Sequence, residues 1–213
     1  MRPDRNDLSR TTRRLLGALV LALVAGCGDS TGTGEQTTAD ELQFLRLEAS
    51  APPLVTTTAT LLATKGQDEE LRLFHRPRPG ETDSTEFLRF RVREESLLRR
   101  PDGSLIADGE SVLITVTVID LANLVVQFEP SGLRFNANEP AELKFKFNET
   151  DDDLDEDGDV DDEDLSRETQ LAIWRQEFAG APWVRLSSLV EVELDEISAD
   201  IIGFTNYAIA YRR

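Results

Sequence analysis

The chain has 213 residues, of which 41 are Asp or Glu and 23 are Lys or Arg, so its formal charge at pH 7 is −18. Because phosphate backbones repel so acidic a chain, we expect no nucleic-acid partner. One Cys and one His exclude an internal disulfide framework, a zinc site built on Cys and His, and a CxxC redox motif. The length and the 39% hydrophobic content predict a folded protein with one compact domain.

Residues 1–26 have the pattern of a signal peptide. Five Arg occur among residues 1–14, and an uncharged apolar run of 12 residues follows at 15–26. That run is shorter than the roughly 20 residues that a membrane-spanning helix needs, but it suits a signal-peptide core. The sequence VAGC at 24–27 then resembles the lipobox of bacterial lipoproteins. The resemblance implies cleavage before Cys27 and lipidation of Cys27; an ordinary secreted protein with an incidental Cys is the alternative.

The lipobox resemblance also implies a location. It predicts an exported protein that is lipid-anchored in the cell envelope, and Gly28 after the Cys implies sorting to the outer membrane of a Gram-negative host. Removal of residues 1–26 leaves 18 basic and 39 acidic residues. Residues 27–39 are rich in Gly, Ser and Thr without apolar periodicity, which predicts a flexible tether. The lipid would then be the membrane contact, and the domain would need no membrane-binding surface.

From residue 40 to residue 213, the dominant hydrophobic period is two, which predicts half-buried strands. Residues 112–119 are rich in β-branched side chains and almost continuously apolar, which predicts a central strand covered on both faces. Ten or more short strands without an interleaved helical pattern predict an all-β antiparallel sandwich. The other predicted strands are 42–47, 55–63, 71–75, 88–92, 124–128, 143–147, 170–176, 183–186, 190–194, 197–202 and 207–211.

The segment before residue 85 leaves two interpretations open. It either supplies the first strands of the same sandwich or forms a separate small sheet. We favour one sandwich, because no linker separates this segment from the rest.

Three segments of the second half carry a family resemblance: PSGLRF at 130–135, LAIW at 171–174 before a strand that begins at Trp183, and GFTNY at 203–207. Together they resemble the ZU5 domain of bacterial lipoproteins over about residues 85–212. The resemblance implies an immunoglobulin-like sandwich used for protein contact rather than catalysis. Some relatives cleave themselves at a His-Phe-Ser tripeptide. Here Gly203 replaces the His, so we expect no self-cleavage, and we expect Phe204 to be a core residue.

The segment 149–164 contains 12 acidic residues and no basic residue. Counted from Asp153, carboxylates occupy positions 1, 3, 5, 9 and 12 of a calcium-binding loop of the EF-hand type, and Gly158 occupies position 6, where the chain turns sharply. Position 7 would offer its backbone carbonyl, position 9 would act through water, and Val160 at position 8 would point into the protein. The predicted metal ligands are Asp153, Asp155, Asp157, Asp159, Asp161 and Asp164.

The end of this loop departs from the EF-hand pattern. Asp164 replaces the bidentate Glu, and with Leu165 after it the loop resembles the calcium loop of dockerins. A dockerin has two such loops, so docking onto a cohesin is not implied. We expect one structural Ca²⁺ bound with a Kd of about 10⁻⁴ to 10⁻³ M. The alternative is a solvated acidic loop that binds divalent ions weakly.

No sequence motif of a catalytic site occurs: GxSxG, HExxH, P-loop and GxGxxG patterns are all missing. His75 lacks the signature of a partner nucleophile. Trp174 and Trp183 are expected to pack near the sandwich edge, with a carbohydrate platform as the alternative. The arginines at 89–100 are expected to balance acidic neighbours.

The sequence therefore predicts a non-enzymatic binding or scaffold module with an unidentified protein or envelope partner. Two alternatives stay open. One is a surface hydrolase or self-processing domain on a β-sandwich. The other takes the acidic loop as a recognition element for a cationic or calcium-bridged partner.

Overall fold

A computed structural model describes residues 34–213, which form a sandwich of two antiparallel sheets. A single α-helix in this range, α1 (Asp162–Glu168), and two three-residue 3₁₀ helices, Ala39–Glu41 and Val192–Leu194, accompany the strands. The strands are β1 (Gln36–Thr37), β2 (Leu42–Phe44), β3 (Thr58–Thr64), β4 (Glu69–Phe74), β5 (Glu86–Val92), β6 (Leu97–Arg99), β7 (Ser111–Asp120), β8 (Val125–Glu129), β9 (Arg134–Phe135), β10 (Ala141–Lys146), β11 (Ala172–Gln176), β12 (Trp183–Arg185), β13 (Ser188–Glu191), β14 (Glu196–Ile201) and β15 (Asn206–Arg212).

The strand order confirms the predicted all-β antiparallel sandwich. The larger sheet runs β1-β12-β11-β15-β8-β7-β3, with β2 also paired to β15, and the smaller sheet runs β13-β14-β10-β5-β4. Strands β6 and β9 form a separate two-stranded ribbon. Strand β3 pairs with β7 in one sheet and β4 pairs with β5 in the other. The segment before residue 85 therefore contributes a strand to each layer of the sandwich.

The main core lies between the two sheets and is rich in aromatic rings. In β10, Leu143 and Phe145 are fully buried, while Glu142, Lys144 and Lys146 are partly exposed, as period-two alternation requires. The rings of Phe90, Phe128 and Phe204 have centroids 5.1 to 5.6 Å apart. Tilted and edge-on contacts of this kind stabilise beyond area burial alone. The prediction that Phe204 is a core residue is confirmed.

Strand β15 is covered on both faces. Tyr207 and Ile209 belong to the main core, whereas Ala208 and Ala210 belong to a second apolar cluster. Because successive side chains alternate across a strand, these two sets lie on opposite faces of the sheet. All six residues from 206 to 211 are buried as a result.

The two tryptophans lie in this second cluster. Trp174 is 1% exposed and Trp183 is 4% exposed. The indole Nε1 of Trp174 donates to the carbonyl of Ala210 at 2.9 Å, and Phe44 packs edge-on against Trp183. The packing interpretation is confirmed, and the carbohydrate platform is excluded because neither ring is available to a ligand.

The prediction that residues 112–119 are covered on both faces is wrong. Strand β7 alternates, with Ile114 and Val116 buried and Leu113 58% exposed. It lies next to the edge strand β3, where nothing among residues 34–213 covers the outer face of Leu113. Thr115 and Thr117 share that outer face by alternation. A β-branched composition thus predicted the strand correctly, but not burial on both sides.

Local conformation explains the other differences in strand boundaries. The predicted strand 190–194 ends at residue 191, because the chain then forms the 3₁₀ turn at Val192–Leu194 and Asp195 takes a positive φ of 50°. The short strands β1, β6 and β9 were not predicted. Two or three residues give too little periodicity to be recognised.

The predicted flexible tether is wrong in its last part. Gln36 and Thr37 pair with β12, and the Arg185 amide donates to the Glu35 carbonyl at 2.8 Å. A Cβ at Gly34 would lie 2.3 Å from the Arg185 carbonyl oxygen, so this approach requires glycine. The edge of β12 offers backbone hydrogen bonds to residues 35–37. The low apolar content of residues 27–39 gives no sign of such pairing.

The predictions for the signal peptide, the lipobox, Cys27 and the first part of the tether lie outside the described residues. Within residues 34–213, no helix has the length and apolar character needed to cross a bilayer.

Candidate functional site

The acidic loop joins β10 to β11 and carries α1. The side chain of Asp161 accepts the Glu163 amide at 2.7 Å, and the side chain of Asp164 accepts the Asp161 amide at 3.0 Å. This reciprocal pair is a capping box, which satisfies amides at the helix start that lack helical partners. Helix α1 begins directly after its N-cap Asp161 and ends at Glu168.

Asp164 ties the two ends of the loop together. It is 3% exposed, and its Oδ1 accepts the amides of Leu154 at 2.8 Å and Asp155 at 3.2 Å. The hydrogen bond from the Asp161 amide, with those from Asp155 and Leu154, lowers the pKa of Asp164. Hydrogen bonds to the charged form have this effect. The charged carboxylate is therefore part of the loop's internal structure.

Three of the six predicted ligands converge. One carboxylate oxygen from each of Asp153, Asp155 and Asp164 lies within 4.8 Å of the others. Two oxygens bound to one Ca²⁺ at 2.3 to 2.6 Å can be at most about 5 Å apart, so this spacing fits a common ion. The other predicted ligands, Asp157, Asp159 and Asp161, do not belong to this group.

The loop backbone wraps around the same carboxylates. Asp153 accepts the amides of Asp157 at 3.1 Å and Gly158 at 3.0 Å, one on each carboxylate oxygen. Gly158 has a φ of 101°, as the predicted sharp turn at position 6 requires. Each oxygen of Asp153 keeps a second lone pair, so these contacts leave Asp153 able to coordinate a metal.

A guanidinium lies beside the three carboxylates. Arg167 Nη2 is 3.2 Å from Asp155 Oδ2 and also pairs with Glu163. Its Nη1 donates to the Tyr211 hydroxyl at 3.1 Å, and that hydroxyl donates to the Leu154 carbonyl at 2.7 Å. Hydrogen bonds to Glu163 and Tyr211 raise the pKa of Arg167. One internal cation therefore offsets part of the local negative charge.

Two further arginines from distant segments pair with the loop. Arg46 pairs with Glu156, and Arg78 pairs with the buried carboxylate of Glu149. A sequence reading could not identify these partners, because they are 110 and 71 residues away along the chain.

Repulsion between carboxylates nevertheless persists. The charges of Asp157 and Asp161 raise the pKa of Asp159. Burial, aided by the charges of Asp157 and Asp164, raises the pKa of Asp155 despite its contact with Arg167. A divalent cation placed among these groups would relieve the repulsion.

Val160 does not point into the protein, so that prediction is wrong. Its side chain is 63% exposed, while Leu154, at loop position 2, is buried. The hydrogen bond from the Leu154 amide to Asp164 holds Leu154 against the sandwich. Leu154, at the start of the loop, therefore takes the buried position that the loop pattern assigns to Val160.

A cavity of about 240 Å³ opens beside the loop. Its apolar lining includes side chains from the sandwich, among them Leu45, Phe147 and Leu171. Asp152, Glu168 and Asp195 also line it. The sequence did not indicate this site, because its residues come from the segment after β2, the acidic loop, α1 and the turn before β14. Only the raised local density of acids gave any signal.

Burial and mutual repulsion act on the cavity carboxylates. Burial, followed by the charges of Asp195 and Asp152, raises the pKa of Glu168. Burial, followed by the charge of Asp195, raises the pKa of Asp152. The charged forms of these side chains are therefore disfavoured in the folded protein.

His75 has a structural environment. It is 1% exposed, its Nδ1 lies 2.7 Å from the Pro52 carbonyl oxygen, and its ring packs edge-on against Phe87. A substrate dissolved in water has no access to this ring. The contact with a backbone carbonyl explains why a lone His is tolerated in the core.

The basic face of β5 is balanced by acids, as expected. Arg89 and Arg91 of β5, and Arg93 directly after it, pair with acids on β5, β10 and β14 and in the turn before β4. The pairs are Arg89 with Glu86, Arg91 with Asp68, and Arg93 with Glu142 and Asp200.

The loop architecture predicts a specific cost for removing Asp164. Asp164→Ala should lower the free energy of unfolding by about 1–3 kcal/mol, because it leaves buried amide donors without acceptors. Urea unfolding in the presence of a chelator measures this cost without any metal contribution. Asp159→Ala, which removes an exposed acid of the same loop, should have little effect. Equal stability of the two variants would contradict the structural role of Asp164.

The raised pKa of Glu168 predicts how stability depends on pH. Its folded-state pKa lies above the ordinary value of 4.5, so its contribution to stability is full below 4.5 and declines as pH rises through the folded-state pKa. Glu168→Gln should therefore raise Tm at pH 7 by about 1–2 °C, with the difference vanishing near pH 4. Melting in chelator from pH 4 to pH 8 tests this, with the exposed Glu193→Gln as control. A lower Tm for Glu168→Gln at pH 7 would contradict the prediction.

Comparisons of the chain with protein-family models, with curated proteins and with solved structures find no match. The ZU5 and dockerin resemblances stay predictions from the sequence.

Proposed function

We propose that this chain is a lipid-anchored cell-envelope protein that acts as a non-catalytic binding or scaffold module and uses one Ca²⁺ to order its acidic loop. The observation that carries the metal proposal is the convergence of Asp153, Asp155 and Asp164. The anchor rests on the lipobox at Cys27 and the scaffold role on the ZU5 resemblance. The absence of enzyme activity stays a prediction.

The donor set favours calcium among the common metal ions. Carboxylate oxygens suit hard cations, and the chain has too few His and Cys for a zinc site. Asp153, Asp155 and Asp164 would hold the ion, while Asp157, the backbone of Asp159 and water are the further ligands expected from the loop pattern.

The proposed role of the ion is structural. Residues 149–164 concentrate negative charge, and their ion pairs with Arg46, Arg78 and Arg167 neutralise only part of it. An ion among the three carboxylates would offset repulsion that otherwise opposes folding of the loop. Binding to the folded state alone would stabilise the protein by mass action.

Calorimetric titration of residues 28–213 with Ca²⁺ tests this proposal, because this segment contains the whole sandwich. We expect about one equivalent to bind with a Kd of about 10⁻⁴ to 10⁻³ M and to raise Tm relative to chelator. Asp153→Asn combined with Asp155→Asn should abolish both effects.

The matched control removes the same charge without touching the three converging carboxylates. Asp159→Asn combined with Asp162→Asn should retain saturable binding. No saturable heat in the unsubstituted protein, or equal loss in both double variants, would reduce the loop to a solvated acidic segment.

The anchor is tested by expressing the full chain in a Gram-negative bacterium with radiolabelled palmitate. The unsubstituted protein should incorporate the label and sediment with membranes. Cys27→Ser should lose the label, because Cys27 is the sole Cys of the chain. Labelling that persists in Cys27→Ser, or an unlabelled soluble parent protein, would exclude a lipid at Cys27.

A further inference from the structure

We propose that the cavity beside the acidic loop binds an aliphatic ammonium group, supplied by a lysine side chain of a partner protein. This inference deepens the proposed binding role, on which it rests, by naming the chemistry of the partner. It concerns Asp152, Glu168 and Asp195. Asp164, one of the three carboxylates proposed to hold Ca²⁺, also lines the cavity, so the two sites are adjacent.

The size and walls of the cavity suit one long side chain. Its volume of about 240 Å³ lies below the roughly 300–1,000 Å³ of typical small-molecule pockets. The walls include Leu45, Phe147 and Leu171. A lysine buries its four-carbon stem against apolar surface while its charged end reaches polar groups, and this cavity offers both environments.

The charge of the cavity favours a cationic ligand. Asp152, Glu168 and Asp195 form no ion pair with any Lys or Arg of residues 34–213. Acids elsewhere in the loop do: Glu149 and Glu156 each have an arginine. The cavity therefore concentrates negative charge that the described part of the chain leaves uncompensated.

The spacing of these carboxylates favours an organic cation over a bare metal ion. Within the described residues, the three acids that approach within 4.8 Å of one another are Asp153, Asp155 and Asp164; Asp152, Glu168 and Asp195 are not among them. A metal ion needs closely converging oxygens. A lysine ammonium, with three rotatable donors on a flexible stem, can reach acceptors that are further apart.

The rim of the cavity favours a protein as the source of the ammonium. Val160, Leu165 and Val192 line it and are 63%, 57% and 36% exposed. A free polyamine would leave this apolar surface in water. A protein that inserts a lysine would cover it, as apolar surface is covered in the core of an interface.

The probe is Nα-acetyl-lysine methylamide, which keeps its ε-ammonium free. It is titrated into residues 28–213 while the backbone amide NMR shifts are followed. Titrations run in saturating Ca²⁺ and in chelator. We expect saturable shifts of cavity residues such as Leu154, Leu165 and Leu171. N-acetyl-norleucine methylamide, which has an aliphatic side chain but no charge, should cause no saturable shift.

Neutralising the cavity should weaken lysine binding at least fivefold. The variant is Asp195→Asn combined with Glu168→Gln, and Asn tolerates the positive φ of position 195. The control, Glu191→Gln combined with Glu193→Gln, removes the same charge from neighbouring positions that do not line the cavity and should bind as the parent does. If the double variant unfolds, which loss of dispersion in its NMR spectrum would show, Asp195→Asn alone is tested in its place.

Several results would overturn the proposal. The lysine probe could cause no saturable shift, the norleucine probe could bind as tightly as the lysine probe, or the control variant could weaken lysine binding as much as the cavity variant does. Spermidine that binds at least tenfold more tightly than the lysine probe would instead assign the site to free polyamines. Calcium titration of the cavity variant separates the two proposals, because it leaves Asp153, Asp155 and Asp164 unchanged.

Discussion

The double-sided burial of β15 is the constraint on which both the sandwich and the acidic loop depend. One face of the strand packs in the main core and the other in the tryptophan cluster. Near its end, the Tyr211 hydroxyl holds the Leu154 carbonyl and accepts from Arg167. Strand β15 therefore fixes the position of the loop. A substitution that shifts β15 would displace the three converging carboxylates although it changes none of them.

The proposed Ca²⁺ and the arginines of the loop would compensate the same negative charge. Arg167 contacts Asp155, which also belongs to the three converging carboxylates, so an arriving ion and the guanidinium share one partner. The arginine lowers the repulsion that would otherwise drive ion binding, and thereby reduces affinity. Weak binding in the extracellular range is the physical expectation for a site that already contains a resident cation. Removal of Arg167 would make the stability of the loop depend more on a bound metal ion.

Periodicity was sufficient to predict the sandwich, since alternation in β5 and β10 follows directly from one buried face. It could not distinguish β7, with one exposed face, from β15, because β-branched content reports strand propensity rather than neighbours. At the site, Asp153, Asp155, Asp164 and Gly158 were identified from spacing within a single loop. The cavity was not, because Asp195 reaches it from a turn 31 residues beyond Asp164. Local spacing predicts local convergence, whereas sites assembled from distant segments require the fold.

The pairing of β1 with β12 shortens the connection between the proposed anchor and the sandwich. Gly34 lies seven positions after Cys27, and an extended chain of seven steps spans at most about 25 Å. Arg212, next to Tyr211, pairs with Glu35, so the acidic loop lies near the point where this connection begins. That reach equals about three Debye lengths at physiological ionic strength. If Cys27 is lipidated as proposed, this reach would let the acidic loop stand beyond the repulsion of anionic headgroups. It would also restrict a protein partner to molecules at the same membrane surface.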